Sequence, residues 1–226
     1  MASTVRKTNW FAIWVSVGVV VALAIVAGLV VWMNRSTELP DVKPEASNID
    51  VETGAIAVGS GENDITTFID FMCPICNQFE QLYGETIQGL VDDGSATLNI
   101  HPISILDSRS QGTQFSTRAA SAMYCVAVED ADGVLPFLEG MYANQPEEGT
   151  RGLTDDQIIG IATGAGVTGI DGCVNDGRYM KYVTAMTEKT PVAPGAQGIG
   201  TPTVLLNGEF VRLTGDPQAD LVANLK

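Results

Sequence analysis

Histidine is nearly missing from this sequence: His101 is the only one in 226 residues. One imidazole is too few for most metal sites and for histidine-based triads. Basic residues are scarce too, 12 Lys and Arg against 27 Asp and Glu, a net charge of −15. Without a basic footprint, a nucleic-acid binder driven by phosphate contacts is excluded. No acidic residue occurs up to Thr37, and no Lys or Arg between Lys43 and Arg109. Internal repeats are absent, and glycine-rich stretches such as Gly195–Gly200 lack the pattern of a phosphate cradle. Hydrophobic residues make up 45% of the chain, with 24 Gly and 10 Pro. That balance excludes a disordered or collagen-like chain and allows one domain of ordinary size with accessories.

The longest apolar run is Trp10–Met33 (WFAIWVSVGVVVALAIVAGLVVWM), which carries no charge. About 20 helical residues cross a bilayer core of ~30 Å, so the run spans with slight tilt. Trp10, Trp14 and Trp32 sit near its ends, where amphipathic rings favour the interface. A cleaved secretory signal would have an apolar region of roughly 7–15 residues and a small-x-small site; this run is longer. The reading is a cytoplasmic tail over 1–9, a transmembrane anchor over 10–33 and an extracytoplasmic remainder, single-pass in the cell membrane. Arg6 and Lys7 nearly balance Arg35 and Lys43 across the run, so orientation rests on the large, acidic, cysteine-bearing C-terminal part. Disulfides persist on that outer side. Residues 34–53, polar with Pro40 and Pro44, read as a tether, and 54–226 as the domain.

Within the domain, Ile65–Met72 reads as a buried strand, and Phe79, Leu82, Tyr83, Ile87, Leu90 and Val91 recur at helical spacing. Ala96, Leu98 and Ile100 alternate with polar residues, which predicts a second strand. Roughly 115–190 reads as a helical block, with helices over Arg118–Val128, Val134–Tyr142 and Arg178–Lys189 and a capping box from Thr154 to Gln157. The β pattern then returns: Asn207-Gly208 between Thr203–Leu206 and Glu209–Leu213 predicts a tight hairpin. Asp216–Leu225 is expected to close the domain as a helix.

The chemistry lies at the strand–helix junction, in Cys73-Pro74-Ile75-Cys76. Thiolate, not thiol, is the reactive form, and a helix N-terminus favours the anion through free N–H groups and the dipole. Pro74 fits the first turn, where its missing N–H costs nothing. Cys76 follows three residues on, on the same face, placed to attack a mixed disulfide formed at Cys73. Cys73 is the expected nucleophile and Cys76 the resolving cysteine. Zinc would need two further ligands, and Cys125, Cys173 and His101 stand isolated. A purely structural Cys73–Cys76 bridge would close too short a loop to stabilise much. No metal and no cofactor beyond the redox pair is expected.

FIDFMCPIC, an amphipathic helix, a long helical insertion and then GTPTVLLNGE together resemble the DsbA family of thioredoxin-fold thiol oxidoreductases, membrane-anchored actinobacterial members above all. The resemblance covers roughly Gly54 to Lys226. It implies an α/β thioredoxin-like fold with an inserted helical subdomain. It also implies a cis Pro202 facing the CxxC, with the backbone of Thr201 offered to an extended substrate strand. Cys125 and Cys173 most simply clamp two helices as a structural disulfide, as some family members do; two free buried thiols are the alternative. The implied activity is introduction of disulfides into reduced, newly exported proteins, with a quinone-linked membrane partner for reoxidation. A reductase of the same fold and a non-catalytic subunit of a larger membrane complex compete with it.

Two departures from the family stand out. Its members often carry an acid six residues before the first Cys, where this chain has Thr67; Asp70, three residues along the strand, is expected on the opposite face. Ile75 stands where the enteric oxidase has His, adding neither charge nor donor. With acid around the pair and no base nearby, a less oxidising pair is expected. His101, at a strand end before Pro102, reads as a structural or substrate-groove residue rather than a catalytic base.

Overall fold

The computed structural model describes residues 10–36 and 39–226; the expected cytoplasmic tail, 1–9, lies outside the described residues. The chain divides after Glu38 into two units. The first holds helix α1, Trp10–Ser36, about 40 Å long at 1.5 Å per residue. Its described apolar side chains, Phe11, Trp14, Val20 and Leu23 among them, are exposed. Side chains in this helix are described continuously only over 13–29. Among the described residues, no helix is long and apolar enough to cross a membrane.

The second unit, Leu39–Lys226, is built on a six-stranded sheet: β1 (Ile49–Asp50), β2 (Ala55–Val58), β3 (Asn63–Ile69), β4 (Ala96–Pro102), β5 (Thr203–Leu206) and β6 (Glu209–Phe210). Their order is β1-β2-β4-β3-β5-β6. Strands β3 and β4 are parallel, from Asn63↔Ala96 to Ile69↔Pro102, and α2 (Pro74–Asp92) connects them. The parallel pairing requires that crossover. Strand β5 returns antiparallel to β3, Ile65 facing Leu206. The expected hairpin forms with Asn207 at φ 51° and Gly208 at φ 85°, the positive φ at both positions that a tight turn of this kind needs. Its second strand ends at Phe210 rather than Leu213.

Side-chain alternation divides the sheet. Ile65, Thr67 and Ile69 point to the face covered by α2, whose Cys76, Phe79, Tyr83, Ile87 and Leu90 are buried. Phe68 points the other way and stacks on His101 of β4 at 4.3 Å. Between β4 and β5 the chain inserts α3 (Phe115–Glu129), α4 (Val134–Ala143), α5 (Asp155–Gly164), α6 (Asp171–Asn175) and α7 (Met180–Thr187). Helix α3 is the hub, buried at nearly every position from Phe115 to Ala127. The Thr154–Gln157 capping box opens α5, and Arg118 of α3 reaches Asp155 at 2.6 Å across a half-buried ion pair. A disulfide joins Cys125 of α3 to Cys173 of α6; the free-thiol alternative does not hold.

Three expectations need correction. Residues 39–53, read as tether, pack within the second unit: 49–58 form an edge hairpin whose β2 pairs with β4. Tyr124 and Tyr182 donate to the carbonyls of Gly54 and Val51 at 2.6 and 2.9 Å, fastening this hairpin to the insertion. Gly54, at φ 84°, passes so near Met186 that a Cβ would sit 2.8 Å from its Cγ. The closing helix shortens to α8 (Pro217–Asp220) and a 3-10 turn over Val222–Asn224. Arg178–Lys189 yields only α7, because Tyr179 is already its N-cap.

Candidate active site

Strand β3 ends at Ile69, and a bend of four residues delivers Cys73 to the N-cap of α2 at φ −80°, ψ 116°. Pro74 opens the helix, and Asn77 N–H closes its first turn on the Cys73 carbonyl at 3.3 Å. Cys73 and Cys76 are both free thiols. Both are buried, Cys73 at 5% exposure and Cys76 at none; Ile75 beside them is 55% exposed.

The loop before β5 closes over the pair. The Thr201–Pro202 bond is cis. The Cys73 thiol lies 3.5 Å from the Thr201 carbonyl, and Cys76 Sγ lies 2.9 Å from Thr201 Oγ1. Thr201 Oγ1 donates its one hydrogen to the Phe68 carbonyl at 3.1 Å. The Cys76 thiol is thus the donor toward Thr201, or toward Cys73 once Cys73 ionises.

These contacts separate the two sulfurs electrostatically. The Cys73 thiol is lowered from 9.0 to about 7, first by the hydrogen bond from Cys76 and then by the N–H groups of Cys76 and Ile75, against burial and the Asp70 charge. Cys76 is pushed well above 9.0, chiefly by burial and by its bond to Cys73. The helix N-terminus supplies part of the stabilisation expected of it, but the partner thiol supplies more.

Several residues here carry no signal in the sequence. Asp70, set aside on strand geometry, sits past the end of β3, where alternation no longer applies. It is fully buried, and its carboxylate accepts from Met72 N–H and Leu106 N–H, both at 2.9 Å. Burial raises it from 3.8 to about 6. Gln145, just past α4, donates to the carbonyls of Phe71 and Cys73 at 3.0 and 2.9 Å. Asn77 donates to the Gln145 side chain and to Tyr142 O, both at 3.1 Å. The insertion thereby braces the reactive bend.

His101 lies elsewhere. Burial lowers it from 6.5 to about 4, so it is neutral under its stacked Phe68. It lines a groove of about 810 Å³ with Asp50, Asp64 and Lys189 that contains neither free cysteine. Among the described residues, no three His, Cys, Asp or Glu side chains are grouped to hold a metal ion.

Fold and site together define a thioredoxin-fold dithiol protein with a helical insertion. Residues 54–221 match the family model described as Thioredoxin, and the chain belongs to that family. Among solved structures it is similar to the disulfide bond oxidoreductase DsbG of Mycobacterium tuberculosis, with TM-score 0.67 and 31% identity over 75% of this chain and 84% of that one. DsbA of the same organism, in its reduced form, gives 0.63 and 30% over 71% and 85%. MdbA, a thiol-disulfide oxidoreductase of Actinomyces oris, shares the fold at 0.62 and 21%, over 79% and 88%. Within the family the chain is of the DsbA-like kind, similar to these thiol-disulfide oxidoreductases. It is also 29% identical over 182 residues to the serine/threonine-protein kinase PknE of Mycobacterium tuberculosis, 76% of this chain. The chain spans about a third of the length of the curated relatives it matches.

Proposed function

We propose that this chain is an extracytoplasmic oxidase held at the cell membrane by α1, passing a Cys73–Cys76 disulfide to reduced exported proteins. One observation carries the reading: a thiol lowered to about 7 at a helix N-cap, backed by a wholly buried partner thiol whose value is pushed up. A substrate thiolate attacks Cys73, Cys76 leaves, and a second substrate thiol displaces Cys73, so two electrons pass to the enzyme. The exposed Ile75 and the backbone of Thr201 form the surface a substrate strand meets. A membrane redox partner then accepts the two electrons and restores the disulfide.

The test is oxidation of a reduced two-cysteine peptide by the full chain, with Cys73→Ala expected to abolish it. Direction is read from the Cys73–Cys76 potential against glutathione; a strongly reducing value makes the protein a reductase. Anchoring rests on the uncharged run Trp10–Met33 and the exposed apolar side chains described over 13–29 of α1; an alkaline wash that frees the chain from membranes overturns it. A second reading takes the domain as a non-catalytic binding subunit of a membrane complex; a similar segment makes up about a third of the kinase PknE, and an inactive wild type would favour it.

A further inference from the structure

The reactive bend is held from outside its own strand and helix. The Cys73 carbonyl has a partner in α2, yet Asn77 N–H reaches it only at 3.3 Å. Gln145, two residues past α4, makes the shorter bond: its Nε2 lies 2.9 Å from the Cys73 carbonyl and 3.0 Å from that of Phe71. An amide nitrogen of this kind donates twice, so one side chain serves both carbonyls. The Tyr142 hydroxyl reaches the Asp70 carbonyl at 3.4 Å. The end of α4 and the residue beyond it thus meet the carbonyls of Asp70, Phe71 and Cys73. Two further amides orient Gln145. Asn77, one turn past Cys73, donates to Gln145 Oε1 and to the Tyr142 carbonyl, both at 3.1 Å. Gln81, a turn further along α2, donates to Asn77 Oδ1 at 3.0 Å. Backbone carbonyls only accept, so those of Phe71, Cys73 and Tyr142 fix which end of the Gln145 and Asn77 amides carries N–H. The row Gln81, Asn77, Gln145 therefore runs donor to acceptor in one direction, each bond polarising the next, and ends with its N–H groups on the bend. Placement of that carbonyl matters to the sulfur beside it. Amide N–H groups favour a thiolate, and a carbonyl oxygen turned toward it opposes it. Cys73 presents its sulfur to the N–H groups of Ile75 and Cys76, while its carbonyl is drawn off toward Gln145.

We propose that Gln145 is a positioning residue for the nucleophile: it draws the Cys73 and Phe71 carbonyls toward the end of α4, holds the sulfur over the α2 amides, and through Asn77 ties the reactivity of Cys73 to the packing of the helical insertion on α2. The inference rests on the redox reading of Cys73–Cys76. Gln145 touches no reacting atom and carries no charge. The titratable groups facing Cys73 are Cys76, on α2, and Asp70, just past β3, and both stay in place when Gln145 is changed. A moved pH profile in a Gln145 variant therefore reports the position of the sulfur and not a lost charge.

Gln145→Met keeps the length of the side chain and removes its donors and its acceptor. The assay is alkylation of the reduced full chain from acid to alkaline pH, read at the Cys73 peptide. The variant's midpoint should lie above the wild-type value of about 7. Cys73 alkylation at neutral pH then slows about two- to five-fold, with the alkaline plateau unchanged. Asn77→Ala should move the midpoint the same way by less, and in a Gln145→Met chain it should add nothing, because its effect passes through Gln145. A merely structural brace would lower stability to urea and leave the midpoint at about 7; that result overturns the proposal. So does an Asn77→Ala effect that persists in full without Gln145. Should Gln145→Met fail to fold, Asn77→Ala decides alone, and an unmoved midpoint there overturns the proposal. Disulfide exchange is scored separately, as oxidation of the reduced two-cysteine peptide. An inactive wild type sinks the redox reading, whereas an active wild type with an unmoved Gln145→Met midpoint sinks only the role of Gln145.

Discussion

Replacing Cys76 with alanine removes the main reason the Cys73 value is low, the hydrogen bond from one thiol to the other. At pH 7 a thiol near 7 is about half ionised, whereas one near 9 is about 1% thiolate. The ratio, ~50-fold, bounds the loss of reactive sulfur. The N–H groups of Ile75 and Cys76 remain in the variant, while burial and Asp70 still oppose the anion. The Cys73 midpoint should therefore climb from about 7 part of the way to 9.0. Iodoacetamide alkylation of the reduced chain, followed from acid to alkaline pH with thiolate absorbance as a second readout, measures that midpoint. At neutral pH Cys76→Ala should react several-fold to ~50-fold more slowly, and at high pH, with Cys73 ionised in both, alkylation of Cys73 should match. A midpoint left at about 7 refutes the reasoning and transfers the effect to the helix amides. The sign for the dithiol form follows directly. Its folded value is depressed, so the stabilisation is complete above the unfolded value of about 9 and is lost as pH falls through about 7.

Asp70→Asn tests the carboxylate beneath the bend. Its folded value is raised from 3.8 to about 6, so its contribution to stability is complete below about 4 and lost as pH rises through about 6. The variant should flatten urea-unfolding stability across that window and lower the Cys73 alkylation midpoint; an unmoved midpoint removes Asp70 from the site's electrostatics. For the disulfide, Cys125 and Cys173 are 48 residues apart, and the chain-entropy relation gives about 4 kcal/mol. Urea unfolding of the Cys125→Ala/Cys173→Ala chain should show a loss of that order; a loss under ~1 kcal/mol means the unfolded chain is already constrained.

Most of what carried function in the sequence was local. The run Ile65–Met72 marked β3 by composition, Phe79 to Leu90 marked α2 by period, and Pro74 marked where the helix begins. The Asn207-Gly208 turn and the Thr154–Gln157 box were legible because their geometry is set within four residues. The β1–β2 hairpin was not: a strand of two residues has no period, and β2 is a strand because β4 offers it an edge. Arg178–Lys189 was read too long for a related reason, since local helix propensity sets no firm end where Tyr179 and Met180 turn inward to pack on the insertion.

By itself the sequence determined the spacing of Cys73 and Cys76 and their place at a helix start, because those follow from neighbours along the chain. Tertiary structure decided how they differ. Thr201 meets Cys76 from 125 residues away, Gln145 holds the Cys73 carbonyl from 72, and Leu106 clamps Asp70 from 36. Burial, hydrogen-bond partners and neighbouring charge set each group's proton affinity, and all three are properties of contacts that exist only after the sheet has closed.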